Sequence, residues 1–151
     1  MSVLNNWLTE VETWVDTPYV TEGCAKGKGV TCAHWLVDSM LKAIPNSEAV
    51  AYAMKITHRD YYKQNLDVMP EVLDHVAFRT TWEKIQPGDV TFSRVRRVAA
   101  IPAVYFGNDF FVYCDTSQRI IVKRALLGNL KERIMYVFRF HAIEEESKCL
   151  S

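Results

Sequence analysis

The stretch Gln86-Pro87-Gly88-Asp89 separates two halves of the chain whose apolar residues recur with different periods, and this change constrains the fold more than any other feature. A Pro-Gly pair marks a turn, because proline presets one backbone angle and glycine tolerates the reversed one that follows. Ahead of it, Trp7, Leu8, Val11, Trp14 and Val15 fall at helical spacing. They predict an amphipathic helix over about residues 5–15, capped by Asn5 or Asn6 and stopped by Asp16, Thr17 and Pro18. Gly23, Gly27 and Gly29 then mark a loop. Thr31 suits the cap of a second helix from Cys32 to about Ala43, stopped by Pro45, with Trp35, Leu36, Met40 and Leu41 as its buried stripe. Further helical pieces are expected from about Ser47 to Leu66 and from Pro70 to Val76.

Behind the turn the pattern shortens to β-rich runs: Val90–Phe92, Ala103–Phe106, Phe110–Cys114, Ile120–Lys123 and Met135–Phe140. Gly107-Asn108-Asp109 and Thr116-Ser117-Gln118 separate the middle ones as turns. Phe110 and Phe111 are adjacent, so strand geometry sends one of them away from the core. Helices followed by a strand meander give an α+β domain, with N-terminal helices packed on an antiparallel sheet of about five strands. A chain of 151 residues suits one domain burying roughly two-thirds of its unfolded surface. It is read as a single domain over residues 1–151, with a short C-terminal tail from about residue 143.

Eighteen basic residues balance eighteen acidic ones. Charge therefore gives no reason to expect nucleic acid or an anionic membrane as partner. No apolar run approaches the roughly 20 residues that span a bilayer, and the first residues lack the basic region of a secretory signal. Synthesis and initial residence in the cytoplasm are expected. Without an export signal, Cys24, Cys32, Cys114 and Cys149 are read as reduced thiols, and as they contain no Cys-x-x-Cys pair, no metal site and no cofactor are expected. The run Ser93–Val98 carries Arg94, Arg96 and Arg97 between two strands and reads as a loop. Its sharper reading is an arginine contact with an acidic neighbouring subunit.

Three segments together carry a resemblance: WVDTPYVTEGCAKGKGVTCAHWLV over residues 14–37, IQPGDVTFSRVRRVAAIPAVYFGNDFFVYC over 85–114, and YVFRF over 136–140. In order and spacing they resemble the NlpC-type cysteine peptidases of papain-like fold, in the branch encoded among phage tail genes. The resemblance implies a cysteine nucleophile behind a glycine-containing loop. It also implies a histidine base opening the strand after the Pro-Gly-Asp turn, and a second polar residue, often histidine, that orients the base. The reaction it implies is hydrolysis of a peptide bond in the stem peptide of bacterial cell wall. A free thiol with pKa near 8.5 is only a few per cent thiolate at neutral pH, which is why such a cysteine needs a neighbouring imidazole.

Carried over by position, the nucleophile falls on Cys32, the base on Ile101 and the orienting residue on Tyr113. Isoleucine transfers no proton, and a phenol is too weak a base at neutral pH. Thr31 stands where the family commonly has Asp, and His34 where it commonly has Gly. Tyr19 matches a groove-lining position. Of the four histidines, His34 is two positions from Cys32 and points to a different face of the helix, and His141 lies outside the matching segments. His58 and His75 are the two that could reach the thiol, and each of the four is read first as a surface or satisfied core histidine. The expectation is a catalytically inactive NlpC-like domain, a structural component of a phage tail tip or baseplate hub that contacts other tail proteins. It would reside in the host cytoplasm during synthesis and then in the virion tail. The alternative is an active cysteine amidase or endopeptidase that cleaves peptidoglycan with Cys32 and a non-standard base. A small-ligand or acyl-binding module at the Cys32 pocket is a third reading.

Overall fold

In the computed structural model, which describes residues 2–18, 24–25, 29–30, 34–48, 68–95, 98–115, 117–126 and 128–149, helix α1 spans Val3–Glu12. It begins earlier than the spacing predicts, because Ser2 rather than Asn5 or Asn6 is the cap: its Oγ accepts from the Asn5 N–H at 3.0 Å. Glu146, far along the chain, adds a second cap by accepting the Val3 N–H with both carboxylate oxygens, at 3.0 and 3.1 Å. A carboxylate at a helix N-terminus meets unpaired N–H groups and the positive end of the dipole. The helix also ends sooner than predicted. Trp14 and Val15 lie in the turns that follow Glu12, which close with Asp16 in the left-handed region at φ 71°.

Helix α2, His34–Ala43, stops where Pro45 predicts, and Ser47 finishes it by donating to the carbonyls of Met40 and Ile44, both at 2.8 Å. Its buried stripe is Trp35, Leu36, Val37 and Met40. Leu41, expected inside, is 39% exposed, and Val37 takes the place assigned to it. The predicted cap Thr31 lies outside the described residues, as does nearly all of the expected 47–66 helix. Part of the predicted loop is a two-stranded antiparallel ribbon, β1 (Cys24–Ala25) with β2 (Gly29–Val30). Helix α3 covers Val68–Leu73, two residues ahead of the expected start.

Six strands build one antiparallel sheet in the order β3-β8-β4-β5-β6-β7: β3 (Ala77–Thr80), β4 (Val90–Val95), β5 (Val98–Gly107), β6 (Phe110–Asp115), β7 (Ile120–Ala125) and β8 (Ile134–Phe140). The edge strand β3 is additional to the five predicted runs. β5 starts five residues before the expected Ala103 despite Pro102. Its pairing with β6 begins only at Ala103, so the residue without an N–H sits where β6 is not alongside. Arg94 is correspondingly in a strand, not in the loop that the sequence suggests. The expected C-terminal tail is largely helix α5, His141–Cys149, anchored by the buried Ile143. A short helix α4, Gly128–Glu132, and a 3-10 turn, Trp82–Lys84, complete the elements.

Strand alternation divides the sheet into two faces. Val90, Phe92, Val104, Val112, Cys114, Ile121, Phe138 and Phe140 form one core with Trp7 and Val11 of α1 and Trp35, Leu36 and Met40 of α2. Ala103, Phe111 and Tyr113 on the other face pack with Leu126, Trp82, Ile85 and Leu130. Phe110 is 47% exposed and Phe111 is buried, as adjacent strand residues must differ. Among the described residues no helix is long and apolar enough to cross a membrane.

The Pro-Gly-Asp turn ties these layers together. Gly88 takes φ 95°, donates its N–H to the Tyr105 carbonyl at 2.8 Å and accepts from the Trp7 indole N–H at 3.0 Å. A Cβ there would lie 2.7 Å from Leu4 Cδ1, so the position suits glycine on both counts. Asp89 is buried and receives a two-pronged fork from Arg139 of β8: Nε to Oδ1 and Nη2 to Oδ2, each at 3.0 Å. Nη2 also donates to the Lys84 carbonyl at 2.8 Å, and the Gln86 N–H donates to Asp89 Oδ2 at 2.9 Å. Glu144 of α5 approaches Arg139 Nη1 at 3.6 Å. Burial pushes the Asp89 carboxyl above its ordinary range, against the opposing pull of the Arg139 and Gln86 hydrogen bonds. Hydrogen bonding to Asp89 in turn holds Arg139 protonated beyond its usual range. Replacing one member alone strands a buried charge. Asp89→Asn should therefore lower stability in urea unfolding by about 3–5 kcal/mol, whereas Asp89→Asn combined with Arg139→Met should lose much less.

Candidate functional site

The two positions that the resemblance assigns to proton transfer lie on neighbouring strands and share the face of the sheet opposite helices α1 and α2. Ile101 sits on β5 across from Ser93 of β4, and Tyr113 sits on β6 between Ala103 of β5 and Val122 of β7. Alternation places Ile101, Ala103 and Tyr113 on one side, making Ile101 and Tyr113 diagonal neighbours. Both are buried, Ile101 at 6% exposure and Tyr113 at 0%.

Tyr113 is not idle. Its hydroxyl accepts from Arg124 Nε of β7 at 3.2 Å, and the guanidinium carbon lies 5.9 Å from its ring centroid. The same guanidinium is ion-paired through Nη2 to Asp115 Oδ2 and donates from Nη1 to Gln118 Oε1 at 3.2 Å. Asp115 is itself buried, and its Oδ1 accepts the Ser117 N–H at 3.0 Å, the Ser117 hydroxyl at 2.7 Å and the Gln118 N–H at 3.2 Å. This Asx-type closure organises the β6–β7 turn and fixes the carboxylate that fixes the arginine. A hydroxyl that receives a hydrogen bond from a cation has its lone pair directed at that cation. The arrangement stiffens a hairpin and offers no basic nitrogen.

The sequence reading did not include Arg124, Asp115 or Gln118. The signal was available in the alternation. Tyr113 and Asp115 fall two apart on β6, and Arg124 falls two beyond the residue that pairs with Tyr113, so all three share a face once the hairpin register is set. Register depends on the turn, and the residues of that turn were read only as a separator.

Of the remaining candidates, His34 opens α2 and is half-buried. His75 is exposed in the turn after α3. His141 is exposed at the start of α5, its ring 5.5 Å from that of Phe78. Arg94 is exposed on β4, with Nε 3.0 Å from Met135 Sδ. Cys32, Thr31, Tyr19, His58, Arg96 and Arg97 lie outside the described residues. The structure thus brings Ile101 and Tyr113 together and says nothing of their relation to Cys32. Among the described residues no group of three or more His, Cys, Asp or Glu side chains could hold a metal ion. If the hydroxyl and guanidinium are coupled as drawn, Tyr113→Phe should cost about 0.5–1.5 kcal/mol in urea unfolding. A double-mutant cycle with Arg124→Met should then return a coupling of similar size, and additive losses would disprove the contact.

No family model matches the sequence, and no curated protein matches it. Solved structures do match. The P60 domain from an M. avium subspecies paratuberculosis antigen superposes with a TM-score of 0.57 at 12% identity, covering 91% of this chain and 93% of that one. At that identity the likeness concerns architecture, and it agrees with the element order and antiparallel sheet described above: the chain has an NlpC/P60-like, papain-like α+β fold.

Proposed function

We propose that this chain is a catalytically silent NlpC-like domain that serves as a structural component of a phage tail tip or baseplate hub through protein–protein contacts. One observation supports the silence: the residue at the position that the resemblance assigns to the general base, Ile101, is buried, and the one at the position it assigns to the orienting residue, Tyr113, is buried with its hydroxyl bound by the Arg124 guanidinium. Thiol-dependent peptide hydrolysis needs a group that takes the thiol proton and later protonates the leaving amine, and general acid–base help is worth roughly 10²- to 10⁴-fold. Neither position supplies one. The tail setting is supported by the three sequence segments that resemble the tail-encoded branch. On this reading the chain is made in the host cytoplasm and ends in the virion tail, with other tail or hub proteins as partners.

Three measurements separate this reading from an active peptidoglycan hydrolase. The purified chain should release no soluble fragments from isolated cell wall, and Cys32→Ser should leave particle assembly intact. Site-resolved mass spectrometry after alkylation at neutral pH should show Cys32 reacting no faster than an ordinary thiol. Fragment release that Cys32→Ser abolishes would replace the proposal with a cysteine amidase or endopeptidase using an unusual base.

A further inference from the structure

The corner of the sheet where β4 leaves its regular register carries two arginines whose charges are not neutralised by any described carboxylate. Both neighbours of β4 are bulged beside it: β8 carries the extra residue Met135 between the partners of Phe92 and Ser93, and β5 carries the extra residue Ala100 between those of Ser93 and Arg94. A bulge bends the strand and re-aims the next side chain. The displaced backbone is held in place: Arg94 N–H donates to the Arg133 carbonyl at 2.9 Å, and the Ser93 hydroxyl donates to the Leu130 carbonyl at 3.0 Å. Arg94 and Arg133 are therefore presented from two backbone segments clasped to each other.

Between them opens a groove of about 520 Å³ lined by Arg94, Glu132, Arg133, Ile134 and Met135. Both arginines are exposed, and among the described residues neither lies within 4.0 Å of a carboxylate oxygen. The described side-chain contact of Arg94 is a thioether sulfur, a weak acceptor for a guanidinium fork that suits a carboxylate far better. The floor is apolar, with Ile134 half-buried and Met135 37% exposed. Arginine and methionine side by side are the residues enriched at protein contact sites, and methionine adapts its shape to what it meets.

We infer that this groove is a docking site for an acidic segment of a partner protein, one carrying Asp or Glu beside an aliphatic or aromatic side chain. The carboxylates pair with Arg94 and Arg133, and the apolar side chain lies on Met135 and Ile134. The inference deepens the reading of the chain as a contact-making subunit and rests on it. Two arginines and a thioether in a groove that Glu132 also lines, on a chain of formal net charge +0, fit a short acidic peptide better than a phosphate backbone.

The test uses the full chain with methyl-labelled methionine, followed by NMR. Probes are a capped peptide of sequence Glu-Leu-Asp-Phe-Glu, the same peptide with Gln and Asn for the acids, and a twelve-nucleotide single-stranded DNA. The acidic peptide should shift the Met135 methyl saturably and bind at least about tenfold more tightly than its amide counterpart, with affinity falling as salt rises. Arg94→Glu/Arg133→Glu, checked for an unchanged methyl spectrum elsewhere, should lose at least that factor. Should the variant misfold, the salt dependence and the amide control on the unaltered chain decide the matter. No saturable shift at Met135, equal binding of the amide peptide, or tighter binding of the oligonucleotide would each overturn the site. Failure here without cell-wall hydrolysis removes only the groove, whereas hydrolysis removes the silent-domain reading and leaves the Met135 result standing on its own.

Discussion

The fork from Arg139 to Asp89 is the contact on which the architecture turns. It joins the turn that begins the meander to the last strand of the sheet, so the register of β8 against β4 cannot slip without breaking it. A slip of one residue would also send every side chain of β8 to the wrong face. The neighbouring Gly88 carbonyl receives the Trp7 indole N–H, which sets where α1 lies on the sheet. Glu144 beside Arg139 and Glu146 on the Val3 N–H then seat α5 between the same two elements. First helix, first long strand and last helix thus meet within one short turn. Hydrophobic burial supplies most of the driving force, but it is non-directional. The charged fork supplies the geometry.

The same division of labour bears on the candidate site. Catalysis by a thiol asks for polar groups held in place without being fully satisfied, and such groups cost stability. Here the corresponding positions are spent the other way. Ile101 is buried, and the Tyr113 hydroxyl is satisfied by Arg124, whose charge is satisfied by Asp115, whose second oxygen closes a turn. Each polar group has a partner within the hairpin. A side-chain set with its hydrogen bonds complete rigidifies a fold and leaves little to give to a substrate.

Much of this was legible in residues 86–89 and in the periods on either side. The order of helices and strands, the opposite fates of Phe110 and Phe111, and the burial of Tyr113 follow from alternation and helical spacing. Other features were not, for identifiable reasons. Ser2 was passed over as a cap because Asn5 and Asn6 stood nearer the first tryptophan. Glu146, the second group on that helix end, lies 143 residues away. β3 is four residues long and reads Ala-Phe-Arg-Thr, with Arg79 lying over the rings of Tyr136 and Phe138. Its strand character comes from pairing with β8 and not from its own composition. Pro102 hid the first half of β5, since the freedom of that position depends on where β6 stops. The segment expected as a tail from about residue 143 is helical, and two of its three successive glutamates bind inward, Glu144 to Arg139 and Glu146 to the Val3 N–H. In each case the deciding partner is remote in sequence.

Both faces of the sheet are in use. One lies under the tryptophans of α1 and α2, and the other under Trp82, Leu126 and the α4 segment. Among the described residues the large apolar side chains left exposed are Leu41, Phe110 and Met135, one on a helix and two within the first two residues of interior strands. Of these positions, the β4 corner differs from the others in kind. Lys123 near Phe110 is paired with Glu12, and Lys42 beside Leu41 is paired with Glu10, so the cations at those two places already have carboxylates. Arg94 and Arg133 beside Met135 have none among the described residues. Exposed apolar surface next to satisfied charge is ordinary protein exterior. Exposed apolar surface next to unsatisfied charge is a surface that gains from being covered, and its sign states what must cover it.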